Sequence, residues 1–141
     1  LYAAATKNQA TVSTANVMSI MGGNVGIGTT GPAYALDVSG TIRATGDVIA
    51  YSDARVKENV ETIPNAIDKV KAMRGVGYNK IGEQRRSTGV IAQEILEVLP
   101  EVVHQDENGM YSVAYGNIVG VLIEAIKEQQ NQIDELKAKL K

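Results

Sequence analysis

The stretch DVIAYSDARVKENV, residues 47–60, sets Ser52 five positions before Lys57, with Asp53 and Arg55 between them. A serine hydroxyl is a poor nucleophile until a base removes its proton, and a neutral lysine can be that base. Lysine loses its proton near neutral pH only when desolvated or beside another cation. Arg55 is a candidate for that cation. Asp53 would act the other way: four residues before Lys57 on one helix, it would hold the ammonium charged. Residues five apart on a helix point about 140° apart. Ser52 must therefore lie outside the helix, at its cap or in the preceding turn, or meet a lysine of another chain. The competing reading is structural, with Ser52 or Asp53 capping a charged, solvated helix. Spacing alone favours capping.

Other chemistry-bearing patterns are weaker. GIGTTG, Gly26 to Gly31, matches G-x-G-x-x-G, but Pro32 and an alternating AYALDVSG follow it. A dinucleotide site needs a helix N-terminus there, so the segment reads as turns between short strands. His104 is the only histidine and there is no cysteine to join it in a metal site. No metal or cofactor is expected.

Composition bounds what must position these residues. The chain has 141 residues, 44% apolar, with six Tyr but no Phe and no Trp. Such a core is thin for a monomer, which points to burial between subunits. A net charge of −2 gives no field that favours nucleic acid or an anionic membrane. The apolar runs are far too short to span a bilayer. Leu1-Tyr2-Ala3 lacks an initiator Met and has no signal-peptide character. The chain is therefore expected to be the C-terminal part of a longer polypeptide.

Residues 1–50 are rich in Gly, Ala, Thr, Ser and Val and carry few charges. In ALDVSGTIRATGDVIA, Leu36, Val38, Ile42 and Val48 suit one face of short strands, with Gly40 and Gly46 as punctuation. This reads as the end of an extended β structure covered by other copies of itself. Residues 53–73 read as helix in two pieces broken at Pro64. GVGYNK and RRSTGVIA read as two strands around a polar loop. AQEILEVLPEVV reads as a short helix stopped by Pro100. EVVHQDENGMYSVAY reads as a hairpin with Asn108-Gly109 as a type I′ turn.

One long helix is expected from Gly116 to Lys141. Val119, Ile126, Ile133 and Leu140 recur every seven residues, and Leu122, Gln129 and Leu136 fill the second register. This is an a/d pattern over about three heptads, with mostly Ile in the first register, which tilts the count towards three strands. The alternative is an amphipathic helix packed on its own domain. The resulting fold class is α+β: a homotrimer with a three-stranded coiled coil over 116–141, short hairpins and an intertwined β fibre end.

SDARVKENVETIPNAIDKVKAM, STGVIAQEILEVLPEVV and YSVAYGNIVGVLIEAIKEQQNQIDELK, taken in order, resemble the C-terminal intramolecular chaperone domain of phage endosialidases, tail fibres and neck appendages. The same domain resembles a segment of the myelin regulatory factor. The sharpest matches are Ser52-Asp53-x-Arg55-x-Lys57 and Gly89-x-Ile91-Ala92-Gln93-Glu94. NVGIGTTGPAYALDVSGTIRATGDVIAYS resembles the fibre end that commonly precedes such domains.

The resemblance implies a fibre end over 1–51 and a chaperone over 52–141 that trimerises, aligns the upstream body and then cuts itself off between Tyr51 and Ser52. It implies a single-turnover serine endopeptidase with Ser52 as nucleophile, Lys57 as base, and Asp53 and Arg55 as supporting residues. It supplies no oxyanion-hole residue. Partners would be other copies of the chain and its own upstream fibre or spike body, with no nucleic acid and no membrane. The location would be a virion appendage assembled in the host cytoplasm. The alternatives are a trimerisation tip that stays attached without peptidase activity, or a receptor-binding tip using the loops at Gly82-Glu83-Gln84 and Asp106-Glu107-Asn108.

Overall fold

Among the described residues, seven side chains make the core, and all of them follow residue 52. Ala66 and Ile67 come from helix α1 (Ala66–Ala72), and Ile95 from helix α2 (Ala92–Leu96). Leu99 and Val102 lie in the segment after α2, and Val121 and Ala125 on helix α3 (Val119–Lys139). Ile63, Val70, Met73, Val90, Val103, Val113 and Ile118 pack around them half-buried. With no Phe or Trp to fill space, β-branched and small residues close the gap between α1 and α3. The computed structural model describes residues 22–140, and the reading of residues 1–21 lies outside them. The chain divides into two units between Tyr51 and Ser52.

In the second unit, helices alternate with two antiparallel hairpins. Strands β3 (Val76–Asn79) and β4 (Arg86–Gly89) pair in register Val76 to Gly89, as the sequence pattern suggests. Gly89 is required by packing: a Cβ there would lie 2.5 Å from the Tyr115 hydroxyl, which accepts the Val90 N–H at 3.2 Å. Strands β5 (Val103–Gln105) and β6 (Tyr111–Val113) form the second hairpin. Its turn differs from the type I′ expectation. Gly109 has φ +80° but Asn108 does not have positive φ, and Gly109 N–H donates to Asp106 O at 3.0 Å. This is a three-residue loop built on a type I turn with glycine in the left-handed position. The Asp106 carboxylate selects it by accepting the N–H groups of Asn108 and Met110.

Helix α2 ends at Leu96, ahead of Pro100, and Pro100 instead begins a 3-10 turn to Val102. The long C-terminal helix also starts later than expected, because Tyr115–Ile118 is a 3-10 turn. The expected two-piece helix over 53–73 holds only for its second piece. Its first part is a single 3-10 turn, Ala54–Val56. Val56 and Val60 in this region find nothing to bury against, and Pro64 restricts the residue before it to extended backbone.

Helix α3 carries two apolar faces. Val121 and Ala125 face α1, and Glu128, one turn on, accepts the Ala66 and Ile67 N–H groups at 2.9 Å each. These two hydrogen bonds hold the Glu128 carboxyl below its ordinary range, Ile67 contributing most. The heptad positions lie on a neighbouring face and stay exposed, with Ile126 at 65% and Ile133 at 45%. The alternative of an amphipathic helix packed on its own domain therefore accounts for the first face and leaves the heptad face uncovered.

In the first unit, β1 (Val25–Ile27) pairs in parallel with β2 (Leu36–Val38). No residue from 22 to 51 is buried. GIGTTG forms the end of β1 and the turn after it, with Gly28 at φ +73° and no helix following. Ile42 and Val48, expected on strands with Leu36 and Val38, lie in irregular chain and are exposed. They have no strand partner among the described residues.

Candidate active site

The turn that begins the second unit is built by Asp53. Its backbone is extended, with φ −65° and ψ 139°, and its Oδ1 accepts the Arg55 N–H at 2.9 Å, so it caps the 3-10 turn Ala54–Val56. Lys57 ends the turn, donating its backbone N–H to Ala54 O at 3.1 Å, and is itself extended. Ser52 thus lies before the cap and Lys57 after the turn. The lysine side chain folds back across it, and Nζ donates to Ser52 Oγ at 2.8 Å. The spacing argument left Ser52 either outside a helix or beside a lysine of another chain; here it precedes a 3-10 turn. Within this chain only one short turn separates the pair.

Asp53 and Arg55 pair with each other. Arg55 Nε donates to Oδ1 at 2.9 Å and Nη2 to Oδ2 at 2.7 Å. Arg55 holds the Asp53 carboxyl below its usual range, and the carboxylate in turn raises the guanidinium. This corrects two expectations. Arg55 is engaged by Asp53 and does not serve as a free cation for Lys57. Asp53 does not hold Lys57, because a 3-10 turn and the guanidinium intervene. Lys57 makes no ion pair among the described residues.

Every residue of the turn is exposed, and Tyr51, on the other side of the Tyr51–Ser52 bond, is 98% exposed. Two surface grooves are found in the second unit, one beside Ile63 and Asn117 and one beside Tyr78 and Tyr115. Neither is lined by Ser52 or Lys57. The pair sits on an exposed turn outside both grooves, and the peptide bond adjoining Ser52 is its own link to Tyr51. His104 lies on β5, exposed, away from this turn.

The other matched segment has a structural explanation. Gly89 gives room to Tyr115, Ile91 precedes α2, and Glu94 takes a bidentate ion pair from Arg74. Sequence reasoning missed two of the contacts that hold this unit together, Glu128 to Ala66 and Ile67 and Tyr115 to Val90. Both join residues far apart in the chain, and no local spacing signals them.

Residues 52–104 match a family model with a peptidase name whose description is chaperone of endosialidase. The match begins at Ser52. The long tail fiber proteins Gp37 of Enterobacteria phages K3 and T2 are each 37% identical over 103 residues, covering 67% of this chain and 8% of theirs. Myelin gene regulatory factor-like A of Dictyostelium discoideum is 30% identical over 143 residues, covering 86% of this chain and 15% of its own length. The chain thus spans only a small part of the relatives it matches.

Proposed function

Residues 52–104 belong to the chaperone-of-endosialidase family, and from that premise we propose that residues 52–141 form an intramolecular trimerisation chaperone for a phage tail fibre or tail spike, which releases itself by cutting between Tyr51 and Ser52. The observation that carries this reading is the 2.8 Å contact of Lys57 Nζ with Ser52 Oγ, beside the bond to be cut.

The chemistry needs no cofactor. Neutral Lys57 takes the Ser52 Oγ proton, and Oγ attacks the Tyr51 carbonyl carbon. Lys57 passes the proton to the Ser52 nitrogen as the C–N bond breaks. This leaves Tyr51 as an ester on Oγ and Ser52 with a free amine. Water, deprotonated by the same lysine, then adds to the ester and releases Oγ. The sum is hydrolysis of one peptide bond. In the contact as described Lys57 is the donor; a deprotonated lysine accepts from the hydroxyl across the same separation.

An exposed ammonium is a poor base, so activation waits for desolvation. Assembly supplies it: three copies joined along Val119, Leu122, Ile126, Ile133 and Leu136 bring their Ser52 turns around one axis. Registry of non-local β strands is slow to find and easily slips. A helical trimer that forms first aligns the fibre ends over 1–51, whose strands bury their apolar residues only between chains. Cleavage then reports assembly, and removal of the chaperone leaves the fibre kinetically trapped. The mature body belongs to a virion appendage, assembled in the host cytoplasm, and its partners are other copies of the same chain.

Denaturing electrophoresis of purified wild-type, Ser52→Ala and Lys57→Ala proteins over time tests this. Wild type should convert to two pieces and Ser52→Ala should stay whole. A wild type that stays whole as a trimer leaves a permanently attached trimerisation tip.

A further inference from the structure

Asp53 lies one short turn from Lys57, and an exposed ammonium competes for any free carboxylate within reach. Yet all the carboxylate's contacts go to Arg55. Oδ1 accepts both the backbone N–H and Nε of Arg55, and Oδ2 accepts Nη2, which fills three of about four acceptor positions. The other charged groups on this exposed segment, Glu58 and Glu61, make no ion pair among the described residues. Among the described residues, the Lys57 side chain has Ser52 Oγ as its hydrogen-bond partner.

We propose that Arg55 is a positioning residue that occupies Asp53, so that Lys57 stays on Ser52 and is free to give up its proton. Two residues then divide two tasks. Asp53 caps the turn that brings Ser52 and Lys57 together, and Arg55 cancels the charge that this cap would otherwise present to the base. Without Arg55, the Asp53 carboxylate draws Lys57 off the hydroxyl and stabilises its charged form. Arg55 itself touches none of the reacting atoms. The clasp does not titrate in the range where the cut is measured: Asp53 is held below the ordinary carboxylate range, so it stays charged at neutral pH.

This inference rests on the self-cleavage reading, and its test separates the two. The pH dependence of the cleavage rate is measured for wild type, Arg55→Ala, Asp53→Asn and the double variant. An exposed carboxylate–ammonium pair is worth about two- to fivefold in an equilibrium. Arg55→Ala should therefore move the profile to higher pH by a few tenths of a unit and slow cleavage about two- to fivefold at neutral pH. Asparagine caps nearly as well as aspartate, so Asp53→Asn should keep the wild-type profile, and adding it to Arg55→Ala should restore that profile. An Arg55→Ala profile that superimposes on wild type overturns the proposal. So does a double variant as displaced as Arg55→Ala, since a merely structural loss would not be repaired. Wild type that never cleaves ends the peptidase reading instead. The clasp is then tested by nuclear magnetic resonance titration of Lys57 in Ser52→Ala and Ser52→Ala/Arg55→Ala proteins. Lys57 should stay charged to higher pH in the second, and identical titrations overturn the proposal.

Discussion

Glu128 on α3 accepts the Ile67 N–H at the start of α1 at 2.9 Å, across 61 residues of sequence. Asn65 precedes α1 with left-handed φ of 54° and offers no side-chain cap of its own. A residue of the helix assigned to assembly therefore closes a helix of the core.

Glu128→Gln tests this contact through pH. The carboxyl lies lower folded than unfolded, so its contribution is complete above the ordinary carboxylate range and is lost as pH falls through the folded value. The Tm of Glu128→Gln should lie below wild type at neutral pH, and the gap should close in acid. A gap that stays constant with pH contradicts a role for the charge.

Ile95 is fully buried between α2 and the rest of the core. Ile95→Ala should cost about 2–5 kcal/mol, the usual range for such a truncation, read from the urea midpoint at unchanged slope. Truncation of the exposed Ile42 should move the unfolding of the second unit by less than about 0.5 kcal/mol.

Ile133→Asp places charge in the heptad face. Three uncompensated charges in an apolar seam should cost the trimer at least about 3 kcal/mol, seen as a loss of trimer mass in analytical ultracentrifugation. Near-UV and far-UV spectra should keep the signature of a folded 52–141 unit, because Ile133 is no part of the core. An undiminished trimer contradicts the seam.

Mixing Ser52→Ala with Lys57→Ala chains should give no cleavage, because each lysine reaches the serine of its own chain. Lys57→Ala alone should be slower by about 10²–10⁴-fold, and Lys57→Arg should fail too, since guanidinium keeps its proton. Cleavage in the mixed trimers would place the pair across subunits.

Local signals made most of these elements legible. Alternation with turn residues marked both hairpins, and the seven-residue repeat marked α3. The pairing of Ser52 with Lys57 was open to a spacing argument, because five residues exclude a shared helix face. What failed was local preference without burial. The 53–63 segment has helical composition, but Val56 and Val60 have nothing to dock against, so only a 3-10 turn forms. The type I′ turn failed because the Asp106 side chain, a competitor from outside the Asn-Gly pair, takes two backbone N–H groups. The second face of α3 was hidden because Val121, Ala125 and Glu128 signal nothing until α1 lies against them. The pairing of Arg55 with Asp53 was hidden for a related reason: sequence order does not say which of two cations a carboxylate will choose.

The central claim is that assembly switches on a cut at one bond. Its most direct measurement is intact-mass spectrometry of wild-type trimers beside the Ile133→Asp monomer, incubated together at mildly alkaline pH. The wild-type trimer should yield two products, residues 1–51 and 52–141, the second with Ser52 as its new N-terminus, while the monomer stays whole. Trimers that remain intact, a cut at any other bond, or a monomer that cuts as fast as the trimer would contradict it.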